Sequence, residues 1–118
     1  MYSLAVAAET RRLIFISGIV GTKQDGSLDG DGGFAAQIER TYENMADILR
    51  SGGCSFENVV KFTSYLKREE DWPAYIQFRI ENYPRLFPSG RYPANTGLVV
   101  SSFVRPGFLY EMEAIAAV

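Results

Sequence analysis

The residues best suited to chemistry stand in the stretch Leu109-Tyr110-Glu111-Met112-Glu113-Ala114-Ile115-Ala116-Ala117-Val118. In an extended strand side chains alternate between faces, so Glu111 and Glu113 share one face while Tyr110, Met112 and Ala114 take the other. Two carboxylates on one side of such a strand suit proton transfer or the orientation of a water, because glutamates are seldom buried unless paired or working. The competing reading is a solvated strand end, or a pairing with arginine across a subunit seam. A second place of interest is Ser17-Gly18, which interrupts the apolar run Leu13-Ile14-Phe15-Ile16. Glycine inside a strand marks a bulge or a close approach to the backbone. Ser17 is placed to orient a ligand or a water, but with no base beside it a serine nucleophile is not expected. Asn95 and Gly97 share a third strand face with Val99, where Gly97 would open space by lacking a side chain. Cys54 reads as a partly buried small residue rather than a reactive thiol, since no basic residue follows it before Lys61.

Composition removes several alternatives. The chain has no histidine and a single cysteine, which excludes imidazole acid–base chemistry, His-based triads and an internal disulfide, and leaves a one-chain structural zinc site without ligands. No metal and no cofactor are expected. The formal charge is −2 without a basic block, so nucleic acid is not an expected partner. No apolar run approaches the roughly 20 residues of a membrane helix, and the opening residues carry no signal-like pattern. With the lone cysteine, this points to the cytoplasm.

The elements that must position these residues can be read from periodicity. Leu13 to Val20 is a β-branched, continuously apolar strand that looks buried on both faces, and Tyr2 to Ala8 is a weaker strand candidate. Gly21 to Gly33 carries five glycines and reads as a surface loop, with a short hairpin at Asp25-Gly26. Its cluster Asp29 to Gly33 matches neither a phosphate-binding loop nor a calcium loop. Phe34 to Ser51 is the clearest helix. Phe34, Ile38, Thr41, Met45, Ile48 and Leu49 face inward, Gln37, Glu39, Arg40, Glu43, Asp47 and Arg50 face out, and Gly52-Gly53 ends it. Val59 to Leu66 is a strand with Phe62, Ser64 and Leu66 alternating against Lys61, Thr63 and Tyr65. A second helix runs from about Trp72 to Leu86. Asp71 stands at its N-cap, Pro73 in its first turn and Pro84 where it should kink or end, and its apolar face is Trp72, Tyr75, Ile76, Ile80 and Tyr83. Ala94 to Phe103 and Phe108 to Val118 are strands, joined as a hairpin across Arg105-Pro106-Gly107.

These 118 residues make one domain. Two helices can cover one face of the sheet, and the other face would then be polar if it met water. Leu13 to Ile16 and Ala94 to Val100 are not polar. Their apolar character predicts a homo-oligomer.

Taken together, the chain resembles the Rid family, also called YjgF/RidA or L-PSP. Tyr2-Ser3 with Ala5-Val6, Leu13-Ile14-Phe15-Ile16-Ser17-Gly18, Glu43-Asn44 with Ile48-Leu49, Gly52-Gly53 before Val59-Val60-Lys61-Phe62-Thr63, Asp71-Trp72, Pro93-Ala94 and Glu111-Met112-Glu113-Ala114-Ile115-Ala116 fall in the family's order along the whole chain. The resemblance implies a chorismate-mutase-like α+β fold, a mixed sheet with two helices packed on one face, assembled as a homotrimer with a small-molecule ligand in each intersubunit cleft. Deaminases of this family hydrolyse enamines and imines such as 2-aminoacrylate to keto acids and ammonia. An arginine grips the substrate carboxylate, and a glutamate of the last strand positions the water. The resemblance carries the catalytic role to Glu111, and cleft-lining roles to Ser17, Gly18 and Tyr2. Where the family has its arginine after Pro93-Ala94, this chain has Asn95, which is shorter, neutral and unable to form the bidentate fork. Ile76 and Ile19 also replace the family's frequent Asn and Gln. The candidate substrate-binding set is therefore Tyr2, Ser17, Gly18, Arg91, Tyr92, Asn95 and Gly97, with Arg91 four residues before Asn95.

Three functions compete. One is an enzyme on an imine, enamine or related carbonyl compound, with Asn95 hydrogen-bonding a carbonyl or amide and little activity on 2-aminoacrylate. A second is an ordinary 2-iminobutanoate/2-iminopropanoate deaminase in which Arg91 or Arg105 replaces the missing guanidinium. The third is a non-catalytic ligand-binding or protein-interaction trimer. RNA cleavage is disfavoured by the absence of histidine and of a basic patch.

Overall fold

The computed structural model describes residues 1–28 and 32–118. The elements follow in the order β1 (Leu13–Val20), α1 (Phe34–Ser51), β2 (Val59–Leu66), α2 (Trp72–Leu86), β3 (Ala94–Val99) and β4 (Tyr110–Ala117). They form one mixed sheet in the order β1-β4-β2-β3. β4 runs antiparallel to both β1 and β2, while β2 and β3 are parallel. A parallel pair needs a long crossover, and α2 supplies it. Both helices lie on one side of the sheet.

β3 and β4 do not form the expected hairpin. β2 lies between them: Val100 N–H donates to the Leu66 carbonyl (2.9 Å) and Lys67 N–H to the Leu109 carbonyl (3.0 Å), so the chain leaves one edge of β2 and returns on the other. The Pro106-Gly107 turn is present, with Gly107 at φ +90°, but it belongs to this crossing. The physical preference is for burial. The Tyr110, Met112, Ala114 and Ala116 face of β4 is almost fully buried against the helices, which a place between two strands provides and an edge does not. Tyr2 to Ala8 is not a strand either. Only Ser3 pairs, parallel to Ala94, and Leu4 and Val6 are exposed because nothing lies over them.

α1 buries Phe34, Ile38, Thr41, Tyr42, Met45 and Leu49. Contrary to expectation, Gln37 is also buried. Its amide nitrogen donates to the carbonyls of Gly32 and Gly107 (2.5 and 2.8 Å), and its oxygen accepts from Leu109 N–H (2.8 Å). It satisfies loop backbone groups that would otherwise be buried without partners. Helix α1 ends at Gly52, followed by Gly53 at φ +78°.

α2 also presents a different face from the one expected. Its buried stripe is Tyr75, Arg79 and Tyr83, spaced at i, i+4, whereas Ile76 and Ile80 are 50% and 51% exposed. Tyrosine wins these positions because its hydroxyl reaches buried polar partners: Tyr83 meets the Tyr42 hydroxyl at 2.8 Å and Tyr75 donates to Ser64 at 3.2 Å. Asp71 stands at the N-cap without capping. Its carboxylate is gripped by Arg68 Nε and Nη2 at 2.8 and 2.9 Å. Pro73 sits in the first turn, and Pro84 is carried inside the helix, which runs on to Leu86.

Lys23 N–H donates to the Ser27 carbonyl (2.8 Å) around Gly26 at φ +84°, which is the expected tight turn at Asp25-Gly26. Asp29 to Asp31, part of the glycine-rich cluster, lie outside the described residues. Among the described residues no helix is long and apolar enough to cross a membrane.

Candidate active site

The sheet face turned away from the helices carries the two glutamates. The register places Tyr65 of β2 opposite Glu111 and Thr63 opposite Glu113, with Lys61 beside Ile115. On the other flank β1 sets Phe15 against Ile115. This face is mixed rather than wholly apolar. Lys61, Thr63, Tyr65, Glu111 and Glu113 form a polar strip between Leu13 and Phe15 on one side and Leu98 on the other. Leu13, Phe15 and Leu98 are 47%, 72% and 45% exposed. Two open depressions meet at Glu113. One, of ≈ 440 Å³, is bounded by Phe15, Ser17, Lys61, Thr63 and Ile115. The other, of ≈ 300 Å³, is bounded by Tyr65, Glu111 and the Val100–Val104 side of the crossing.

Glu111 is joined to the Ser17-Gly18 strand by direct packing. The β1–β4 register shifts between Ile16 and Ile19, so the bulge expected from Ser17-Gly18 is present. A Cβ added at Gly18 would lie 1.8 Å from Glu111 Oε1; the carboxylate occupies the space that a side chain would fill. Burial, and then the neighbouring charge of Glu113, raise the Glu111 pKa above its ordinary value of 4.5. Tyr65 donates its hydroxyl hydrogen bond to Glu113 Oε1 at 3.1 Å. Burial, that hydrogen bond and the two glutamate charges raise the tyrosine's pKa and keep it protonated. The arrangement offers one partly desolvated carboxylate that holds its proton more tightly than an ordinary glutamate does, beside a second carboxylate fixed by a phenol.

The remaining candidates fall elsewhere. Asn95 pairs with Phe62 and Gly97 with Ser64, so both lie on the helix-facing side, opposite to Glu111. Asn95 Nδ2 donates to Tyr75 Oη (3.1 Å), and its Oδ1 accepts from Ser64 Oγ (3.3 Å), which engages both ends of the amide. The space expected at Gly97 is filled by Trp72, whose Cη2 would be 2.6 Å from an added Cβ. Tyr92 packs on Tyr83 and Phe87 as part of the core rim. Tyr2 is exposed next to Ser3, which is tied to the Pro93 carbonyl (3.0 Å). Arg91 lies exposed in the turn before β3, where its backbone N–H donates to Ser89 Oγ. Arg105 is committed to the Gly26 carbonyl (2.8 Å) and the Phe108 ring. Cys54 is half-buried, donates to the Leu49 carbonyl at 3.4 Å and has its pKa raised by burial. Among the described residues no three His, Cys, Asp or Glu side chains converge as a metal site.

Sequence reasoning missed Arg79, a buried cation among tyrosines. The signal was present in the i, i+4 spacing of Tyr75, Arg79 and Tyr83, which places the arginine at the centre of the inward stripe.

A family model described as Endoribonuclease L-PSP matches residues 1–118. The chain belongs to this family. Among curated proteins it is 33% identical to the human 2-iminobutanoate/2-iminopropanoate deaminase, over 98% of this chain and 78% of that one. It is 29% identical to the RutC family protein YjgH of Escherichia coli, over 99% and 82%. Among solved structures, the Rid-family protein YyfB of Yersinia pestis superposes with a TM-score of 0.87 at 26% identity, covering 99% of this chain and 86% of that one. RidA from Psychrobacter sp. PAMC 21119 gives 0.79 at 30% identity, covering 99% and 88%. The α+β fold, with its mixed sheet and two helices on one face, is thus the Rid fold.

Proposed function

We propose that this Rid-family protein hydrolyses the C=N bond of a small imine, or of the enamine that tautomerises to it, with Glu111 orienting the attacking water. The observation that carries this reading is the Glu111 carboxylate held against the Gly18 backbone with a raised pKa. The water oxygen bonds to the imine carbon while Glu111 accepts a water proton. Glu111 returns that proton to the nitrogen, which gives the neutral carbinolamine. It then relays the carbinolamine's hydroxyl proton to the nitrogen as the C–N bond breaks, so that the hydroxyl oxygen becomes the carbonyl and ammonia leaves. No cofactor enters this balance.

The site is completed in clefts of a homotrimer. Leu13, Phe15 and Leu98 give the open face apolar surface for a second copy to cover. Asn95 and Glu111 lie on opposite faces of one sheet, so a cleft that used both would draw them from different subunits. Asn95 offers no guanidinium for a carboxylate and is already hydrogen-bonded within its own chain, which favours an imine held without that grip and predicts weak turnover of 2-aminoacrylate.

The test is release of ammonia from enzymatically generated 2-aminoacrylate, 2-iminobutanoate and 3-aminoacrylate. Turnover of at least one is expected, with 2-aminoacrylate slow, and Glu111→Gln should lower it by on the order of a hundredfold or more. Unchanged turnover in Glu111→Gln would remove the carboxylate from the mechanism. No turnover of any of the three by the native protein would favour the non-catalytic binding trimer.

A further inference from the structure

Arg79 is 9% exposed in the middle of α2, and no carboxylate among the described residues pairs with it. Its guanidinium carbon lies 5.2 Å from the Tyr75 ring centroid and 4.8 Å from that of Tyr83. Nη2 donates to the Met1 carbonyl. Nε is buried without a hydrogen-bond partner. A buried cation without a counter-ion and a buried N–H without an acceptor are both costly arrangements, and an apolar side chain between two tyrosine rings would have avoided them.

The geometry indicates what is missing. The Nε and Nη2 hydrogens form one edge of a guanidinium, and that edge grips a carboxylate with two parallel hydrogen bonds. Arg68 does this within the same chain, with Nε on Asp71 Oδ2 and Nη2 on Asp71 Oδ1. On Arg79 the same edge is half used: a neutral backbone carbonyl takes Nη2, and Nε is empty. We propose that this edge of Arg79 binds the carboxylate of a small organic acid, which replaces the Met1 carbonyl and takes both hydrogen bonds. The cover is light. Met1 and Tyr2 are 43% and 56% exposed, and the segment is next tied down at Ser3, on the Pro93 carbonyl. Moving Met1 aside exchanges one neutral acceptor for two charged ones. The occupant is a carboxylate because Nε and Nη2 present two parallel donors along one edge, while the guanidinium face lies over the tyrosine rings.

The experiment is a titration of the full, ¹⁵N-labelled chain with propanoate, following the Arg79 Nε–Hε resonance by NMR. Propanamide is the neutral isostere at matched ionic strength. Propanoate should move this resonance saturably, and propanamide should leave it in place. Arg79→Lys keeps the charge but loses the fork, and should weaken propanoate binding at least about tenfold. A native resonance that propanoate leaves unmoved, an equal response to propanamide, or undiminished binding by folded Arg79→Lys would each overturn the proposal. If Arg79→Lys does not fold, sequence-specific assignment of the native resonance carries the same test. No turnover is measured, so the result stands apart from the deaminase reading.

Discussion

At the scale of single residues, the role proposed for Glu111 comes with a structural cost. Its pKa is raised, chiefly by burial, so folding disfavours its charged form. As pH rises past 4.5 the unfolded chain releases this proton first, while the folded chain holds it up to the raised value. Stability therefore falls across that window and stays lower above it. Glu111→Gln should raise the melting temperature at neutral pH while lowering turnover, and the two melting curves should coincide well below pH 4.5. Thermal melts at both pH values check this, and a variant less stable than the native protein at neutral pH would contradict it. Asn95 shows the opposite relation between residue and setting. Its amide is satisfied by Ser64 and Tyr75, so its immediate role is to complete a buried polar ring, whatever the residue type suggested about substrate.

At the scale of elements, the bulge in β1 joins one strand's backbone to another strand's carboxylate. Between Ile16↔Ala114 and Ile19↔Met112 β1 spends one residue more than β4, and Gly18 falls where the carboxylate needs room. The atoms that a new Cβ would meet are Glu111 Oε1 at 1.8 Å and Cδ at 2.8 Å, the far end of a flexible side chain. Gly18→Ala should therefore fold with stability within about 0.5 kcal/mol of native, while the displaced carboxylate lowers turnover on the order of a hundredfold. Steady-state rates beside a thermal melt separate the two effects, and a destabilised variant with native turnover would refute this role for the glycine.

At the scale of the whole molecule, the proposed trimer would cover the sheet's open face with a second copy. Phe15, at 72% exposed, stands beside the less exposed Leu13 and over Ile115 in register, next to the polar strip. The native protein should be a trimer by light scattering, and Phe15→Glu should yield folded monomer with lost turnover, because an exposed apolar ring is replaced by a charge that burial against a partner would desolvate. A native monomer at micromolar concentration, or a Phe15→Glu trimer, would show that this face is not the seam.

The sequence by itself determined the main elements and the alternation along the strands, though not that Tyr2 to Ala8 forms no strand, that β3 stops at Val99, or that edge strand β1 leaves Leu13 and Phe15 exposed instead of burying both its faces. The β-branched run Leu13 to Val20, the helical spacing from Phe34 to Leu49 and the alternation in β2 and β4 each encode a local period that survives in any packing, so Glu111 and Glu113 could be placed on one face and the bulge at Ser17-Gly18 anticipated. The family was legible for the same reason, since its motifs are contiguous runs. Only the tertiary structure decided which strands are neighbours, that Asn95 turns its side chain toward the helices, that Trp72 fills the space at Gly97, that Gln37 ties two loops together, and that Arg79 rather than Ile76 or Ile80 is buried on α2. These are choices between partners distant in sequence, made by competition for buried surface and for hydrogen-bond acceptors. A polar side chain is drawn inward when backbone groups or tyrosine rings wait there for it; for Gln37 nothing in its neighbours along the chain records this, whereas for Arg79 the tyrosines four residues to either side are the one local trace.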